Sequence, residues 1–64
     1  MNHFWKIVRE DVYGRSWYLT IVNPGQWSLE PEKGIRFDDV SVIYACRRLV
    51  SIGMSFRVMQ VTSP

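Results

Sequence analysis

Few side chains in this 64-residue chain have types suited to chemistry, and their spacing limits what they can do. The one histidine, His3, stands near the N-terminal end, where a strand is expected to fray, and has no second ligand at metal-binding spacing. The one cysteine, Cys46, falls on the inward stripe of a predicted helix. There a thiol acts as a small hydrophobe, whatever Arg47 and Arg48 beside it would do to an exposed one. Of the acid pairs, Asp38/Asp39 is explained by a helix start and Glu30/Glu32 by a solvated loop. Gly25, Gly34 and Gly53 do not follow phosphate-loop spacing. No nucleophile and base can be paired, so the chain reads as a non-enzyme without catalytic residues, metal or cofactor.

Composition points the same way. Hydrophobic residues make up 47% and charged residues 22%, with eight Lys/Arg against six Asp/Glu. That fits one small domain spanning residues 1–64, whose core is thin because so short a chain buries only roughly 60% of its unfolded surface. No apolar run approaches the ~20 residues of a membrane span, and no basic-then-apolar leader opens the sequence, so neither a membrane nor a secretory route is expected. A lone cysteine fits a reducing cytoplasm. The net charge of +2 is too small to argue for nucleic acid by itself, but residues 40–64 hold Arg47, Arg48 and Arg57 and no acid.

The elements that must position these groups follow from local signals. Phe4–Arg9 and Ser16–Val22 read as strands, joined into an antiparallel hairpin by Asp11-Val12-Tyr13-Gly14. From Asn23 to Phe37 the pattern is irregular and reads as a long loop, with Trp27-Ser28-Leu29 a short extra strand at most. Asp38 is a good N-cap, with Phe37 and Val42 placed as a hydrophobic staple. Val42, Ala45, Cys46, Leu49 and Ile52 recur at helical spacing as the inward stripe, and Gly53 ends the helix. A last strand covers Ser55–Thr62. The expected architecture is therefore α+β: a three-stranded antiparallel sheet, β-β-α-β in order 2-1-3, with one helix on one face.

Period-two alternation divides each strand. Trp5, Ile7, Trp17, Leu19, Ile21, Phe56 and Val58 form the expected helix-facing set. The opposite face reads Phe4, Lys6, Val8, Tyr18, Thr20, Val22, Arg57, Met59 and Val61, which is too apolar for plain solvent surface. Three readings of it stay open: a cover supplied by the 23–37 loop, a face for a partner protein or a second copy, and a platform where Phe4 and Tyr18 with Lys6 and Arg57 stack single-stranded bases. The candidate partner-binding residues are Phe4, Lys6, Tyr18, Trp27, Arg47, Arg48, Arg57 and Met59. The two helix arginines are either a solvated face or an anionic anchor, and Trp27 is a natural hot spot if the loop exposes it.

The string Trp17-Tyr18-Leu19-Thr20, Trp27, Arg36-Phe37-Asp38, Ala45 with Leu49, and Phe56-Arg57-Val58 resembles a pattern common among small phage- and prophage-encoded proteins. The strand-strand-helix-strand layout is similar to that of the small phage inhibitor of bacterial RNA polymerase and of some anti-CRISPR proteins. The resemblance implies a steric inhibitor in the bacterial host cytoplasm that binds a protein complex, foremost a Cas effector. A single-stranded nucleic-acid module and a polymerase inhibitor are the alternatives. It is a likeness of layout across about two-thirds of the chain and transfers no functional residue.

Overall fold

The hairpin is organised by one carboxylate. In the computed structural model, which describes residues 2–63, β1 (Asn2–Glu10) and β2 (Ser16–Ile21) run antiparallel. Asp11 at the turn accepts hydrogen bonds on Oδ1 from the backbone N–H groups of Tyr13 (2.9 Å) and Arg15 (3.0 Å). Its Oδ2 accepts from Arg15 Nε (2.7 Å) and Trp17 Nε1 (2.9 Å). Such a short polar side chain replaces the strand partners that the turn backbone lacks.

The chain then forms a short third strand, β3 (Gln26–Ser28), a 3-10 turn (Pro31–Lys33), the helix α1 (Asp39–Ser51) and the strand β4 (Arg57–Ser63). All pairings are antiparallel and the sheet order is β3-β2-β1-β4. The expected three-stranded sheet in order 2-1-3 is thus corrected to an open four-stranded sheet. The difference lies in the supposed loop. The Asn23-Pro24-Gly25 turn returns the chain onto β2, so that Trp27 pairs with Leu19 and Ser28 with Tyr18. The short extra strand that Trp27-Ser28-Leu29 offers is realised one residue earlier, over Gln26–Ser28, where the free edge of β2 orders it.

The helix conforms closely to its local signals. Asp38 accepts from the backbone N–H of Val40 (3.1 Å) and Ser41 (2.7 Å), while Ser41 Oγ accepts from the Asp38 N–H (3.1 Å). This reciprocal pair satisfies two of the orphan donors at the helix start, and one more at the cap itself. Phe37 and Val42, the staple pair, are both buried. At the other end Gly53 takes φ +76, donating to Val50 O (3.0 Å), and Met54 N–H donates to Leu49 O (3.0 Å). Those two bonds define a Schellman termination, which a left-handed glycine permits without a Cβ clash. Val42, Ala45 and Leu49 are buried, and Cys46 is partly so. Ile52, expected to extend the stripe, is exposed. It is the C-cap, with φ −97 and ψ 10, so its backbone has left the helix and its side chain no longer follows the stripe.

The core gathers Ile7, Leu19, Phe37, Val42, Ala45 and Leu49, with Trp5, Val22, Trp27, Ile35, Cys46, Met54 and Phe56 packed around it. Three expected core residues are outside it: Trp17 is only partly buried, and Ile21 and Val58 are exposed, while the register shift after Leu19 turns Val22, expected on the opposite face, toward the core. A helix of 13 residues is about 20 Å long and covers the centre of a sheet, not its ends or its β4 edge.

Between β1 and β2 the sheet opens. The two strands pair from Val8–Glu10 to Ser16–Tyr18, and beyond that point residues 35–37 take the place between them. Trp5 and Phe37 exchange both backbone hydrogen bonds at 2.8 Å, and Ile35 N–H donates to Leu19 O at 2.9 Å. Ahead of this segment, the 3-10 turn lies on the back face, where Lys6 Nζ donates to Pro31 O. After it, Phe37 enters the helix-side core. The chain therefore crosses from one face of the sheet to the other through the gap. Gly34, buried at the crossing, has room for no side chain: an added Cβ would stand 3.0 Å from Tyr18 Cβ and 3.3 Å from Pro31 O. Gly34→Ala is expected to lower stability by about 1–3 kcal/mol through overpacking against the Tyr18 Cβ and the Pro31 carbonyl. Urea unfolding followed by tryptophan fluorescence measures this, and an unchanged midpoint would contradict the crossing.

Candidate functional site

The eight candidate residues come together only in part. Phe4, Lys6, Tyr18, Arg57 and Met59 do share the back face: in register, Lys6 stands opposite Met59, and Val8 opposite both Tyr18 and Arg57. Trp27 lies on the other side of the sheet, with Leu19, and Arg47 and Arg48 project from the exposed side of α1. Arg48 donates to Asn23 Oδ1 at 3.3 Å, a tether from the helix to the β2–β3 turn.

The back face is largely closed by its own chain. Lys6 is only 8% exposed and Val8 is fully buried. The Lys6 ammonium sits 5.9 Å from the Phe4 ring centre and 5.7 Å from that of Tyr18, with its stem along apolar surface and its head on the Pro31 carbonyl. Arg36 stacks over Phe4 at 4.8 Å. Both residues that would stack bases are thus engaged by cations of this chain, and segment 30–36 supplies the cover that the apolar pattern called for. Arg57 reaches the strand end, where its Nη2 contacts Glu10 at 3.3 Å.

An apolar opening lies on the helix side, between α1 and the edge strand β4. This groove of about 570 Å³ is floored by Trp5 and Val58 and walled by Val42, Ile43, Cys46, Val50 and Ser51, with Arg47 its one charged residue. Ile43 and Val50 are more than half exposed, and Val58 is 40% exposed. Among the described residues these are joined by Val40 and Tyr44 as a second apolar stripe on the helix. The inward stripe by itself does not reveal it, but Val40, Ile43, Arg47 and Val50 recur at helical spacing and carry the signal. Cys46, on the groove wall, has its thiol pKa pushed up by burial, as expected of an unreactive thiol.

Three carboxylates carry much of the polar order. His3, expected to fray, is held in β1 opposite Thr62, and its Nε2 lies 3.0 Å from Asp39 Oδ1. The same oxygen accepts from Trp5 Nε1 at 2.6 Å, tying the first helical turn to β1. The Trp5 indole, then His3, hold the Asp39 carboxyl below its ordinary value. The Ser41 N–H and hydroxyl do the same for Asp38. For Asp11 the Trp17 indole is the main cause, with Arg15 and the turn amides adding to it against a partial loss of solvation. On a further edge, Trp27 Nε1 is buried without a hydrogen-bond partner among the described residues.

The fold and these surfaces define a small α+β protein with an open antiparallel sheet, one helix and an uncovered apolar groove. Comparison with protein-family models, characterised proteins and solved structures finds no match. No helix among the described residues is long and apolar enough to cross a membrane.

Because Asp11, Asp38 and Asp39 all have lowered pKa values when folded, their stabilisation is complete above the unfolded value of 3.8. It is lost as pH falls through the folded values. The urea midpoint should therefore stay level from neutral pH and fall below about pH 4, with a shallower fall in Asp39→Asn. A midpoint that rises on acidification would overturn this account.

Proposed function

We propose that this chain is a non-enzymatic binding protein of the phage-inhibitor type, which blocks a bacterial protein complex by occupying its surface, foremost a Cas effector in the anti-CRISPR manner. The observation that carries the binding reading is the α1/β4 groove: Ile43, Val50 and Val58 stand exposed around one Arg, beside an edge strand with a free outer side. An apolar patch rimmed by a cation is the composition of an interaction surface, with aromatic and Arg side chains as its energetic centre. Trp5 and Arg47 occupy those roles here. The phage setting rests on the resemblance of the Trp17–Val61 string to small phage-encoded proteins, since the strand-strand-helix-strand layout gains a further strand, β3, here.

Mechanistically the reading is steric. A domain of this size presents about half of a standard ~1,600 Å² interface, enough to exclude nucleic acid or an assembly partner from a larger machine. A base-stacking role for the back face has less support, since Phe4 and Tyr18 already face Lys6 and Arg36.

The test is affinity capture from bacterial lysate with and without nuclease at two salt concentrations, followed by a phage-protection assay with the captured complex identified. A discrete protein complex that survives nuclease and salt is expected. Ile43→Asp and Val50→Asp, both at exposed positions, should weaken it by about thirtyfold while leaving the fold intact by circular dichroism. Capture of an RNA polymerase would redirect the target but keep the steric mechanism. Nucleic acid alone, lost at high salt, or recovery of only the chain itself, would overturn the proposal.

A further inference from the structure

A second cleft, of about 450 Å³, opens at the hairpin end of the helix-side face and is lined by Arg9, Asp11, Tyr13, Arg15, Trp17 and Trp27. Two cations, one acid and three aromatic rings share it, and their hydrogen bonds can be accounted for one by one. Both Asp11 oxygens are used, since four N–H groups converge on the roughly four lone pairs a carboxylate offers. Asp11 therefore has no capacity left for Arg9. The partly buried Arg9 guanidinium stacks 5.6 Å from the Trp27 ring centre, and its Nη1 donates only to the thioether of Met54 at 3.2 Å, a weak acceptor. Among the described residues it forms no ion pair. Arg15 uses Nε on Asp11 and stacks 5.2 Å from Tyr13 and 5.9 Å from Trp17.

Two guanidinium groups held on aromatic faces thus line a cleft whose one acid is already saturated, Arg9 with no carboxylate partner among the described residues and Arg15 bound to Asp11 through Nε alone. A partly buried cation without an oxygen partner is costly, and an arginine fork matches a phosphate or carboxylate in geometry. The rings favour one class over the other. Arg15 takes one face of each ring, but Tyr13 is still 80% exposed and Trp17 partly so, leaving ring surface that an acidic peptide would not use and a planar base would cover. We infer that this cleft binds a nucleotide, its phosphate on Arg9 and Arg15 and its base against Tyr13 and Trp17. The site is separate from the α1/β4 groove and does not depend on the docking reading.

The indole N–H signals of Trp5, Trp17 and Trp27 in a ¹⁵N-labelled protein provide the test, with Trp5 in the other cleft as an internal control. Millimolar AMP at low salt should shift the Trp17 and Trp27 signals and leave Trp5 in place. Adenosine and inorganic phosphate should each bind more weakly than AMP. A 5′-phosphorylated oligonucleotide that binds more tightly than AMP assigns the ligand to a strand end, and equal affinity assigns it to a free nucleotide. Arg9→Gln should weaken binding about tenfold. Tyr13→Ala, at an exposed turn position that does not threaten folding, should weaken it as well, and Arg48→Gln should leave it unchanged. The inference is overturned if neither AMP nor the oligonucleotide shifts Trp17 and Trp27, if Arg9→Gln and Tyr13→Ala bind AMP as the parent does, or if a polyglutamate peptide shifts the same signals more than AMP.

Discussion

The Trp5–Phe37 backbone pair holds the passage through which this chain changes sides of its own sheet. Without it, β1 and β2 would leave their backbone groups unpaired where they diverge, and buried amides without partners are expensive. With it, residues 35–37 serve as a plug, Pro31–Lys33 are fixed against the back face, and Asp38 emerges on the helix side at the place where α1 must begin. Three features follow from this one crossing: the buried Gly34, the covered Lys6 and the position of the helix N-terminus.

Where the helix begins also decides what it leaves open. Asp39 is tied to Trp5 and His3 of β1, and Leu49 is buried at the far end of the stripe. That line directs Val42, Ala45 and Leu49 to the core and leaves β4 with no helix above it. Val58 is then exposed on one side of a groove whose other side is Ile43 and Val50. A core of six buried residues is small, as expected of a chain this short, and the uncovered apolar surface is the counterpart of having only one helix for four strands.

Polar side chains here act mostly as replacements for missing backbone partners. Asp11 organises the hairpin turn, Asp38 the helix start, and Asp39 the junction between helix and sheet. Their partners are backbone amides, indoles, one guanidinium, the Ser41 hydroxyl and the His3 ring, and such contacts hold a carboxylate in its ionised form. The arginines are different. Arg9 and Arg15 rest on aromatic rings and Arg47 projects at the rim of a groove, so positive charge is held at two separate openings of the same face.

What the sequence determined by itself was local. Asp38 and Gly53 set the ends of the helix, Asp11 and Gly14 set the hairpin, and the alternation of Lys6 and Tyr18 with Ile7 and Leu19 set the two faces, because capping, turn and pleat each act over a few residues. Only tertiary structure decided the rest. Gln26–Ser28 becomes a strand because β2 has a free edge, not because three residues favour it. Residues 35–37 pass through the sheet because β1 and β2 part beyond Val8 and Tyr18, a separation that no periodicity encodes. Val58 is left outside the core because the single helix does not cover β4, Ile52 because it is the helix C-cap, and Ile21 because the β2–β3 register shifts after Leu19 and brings Val22 inward instead. The grooves exist for the same reason: they are the spaces between elements, set by how far each one reaches and by the angle at which it lies.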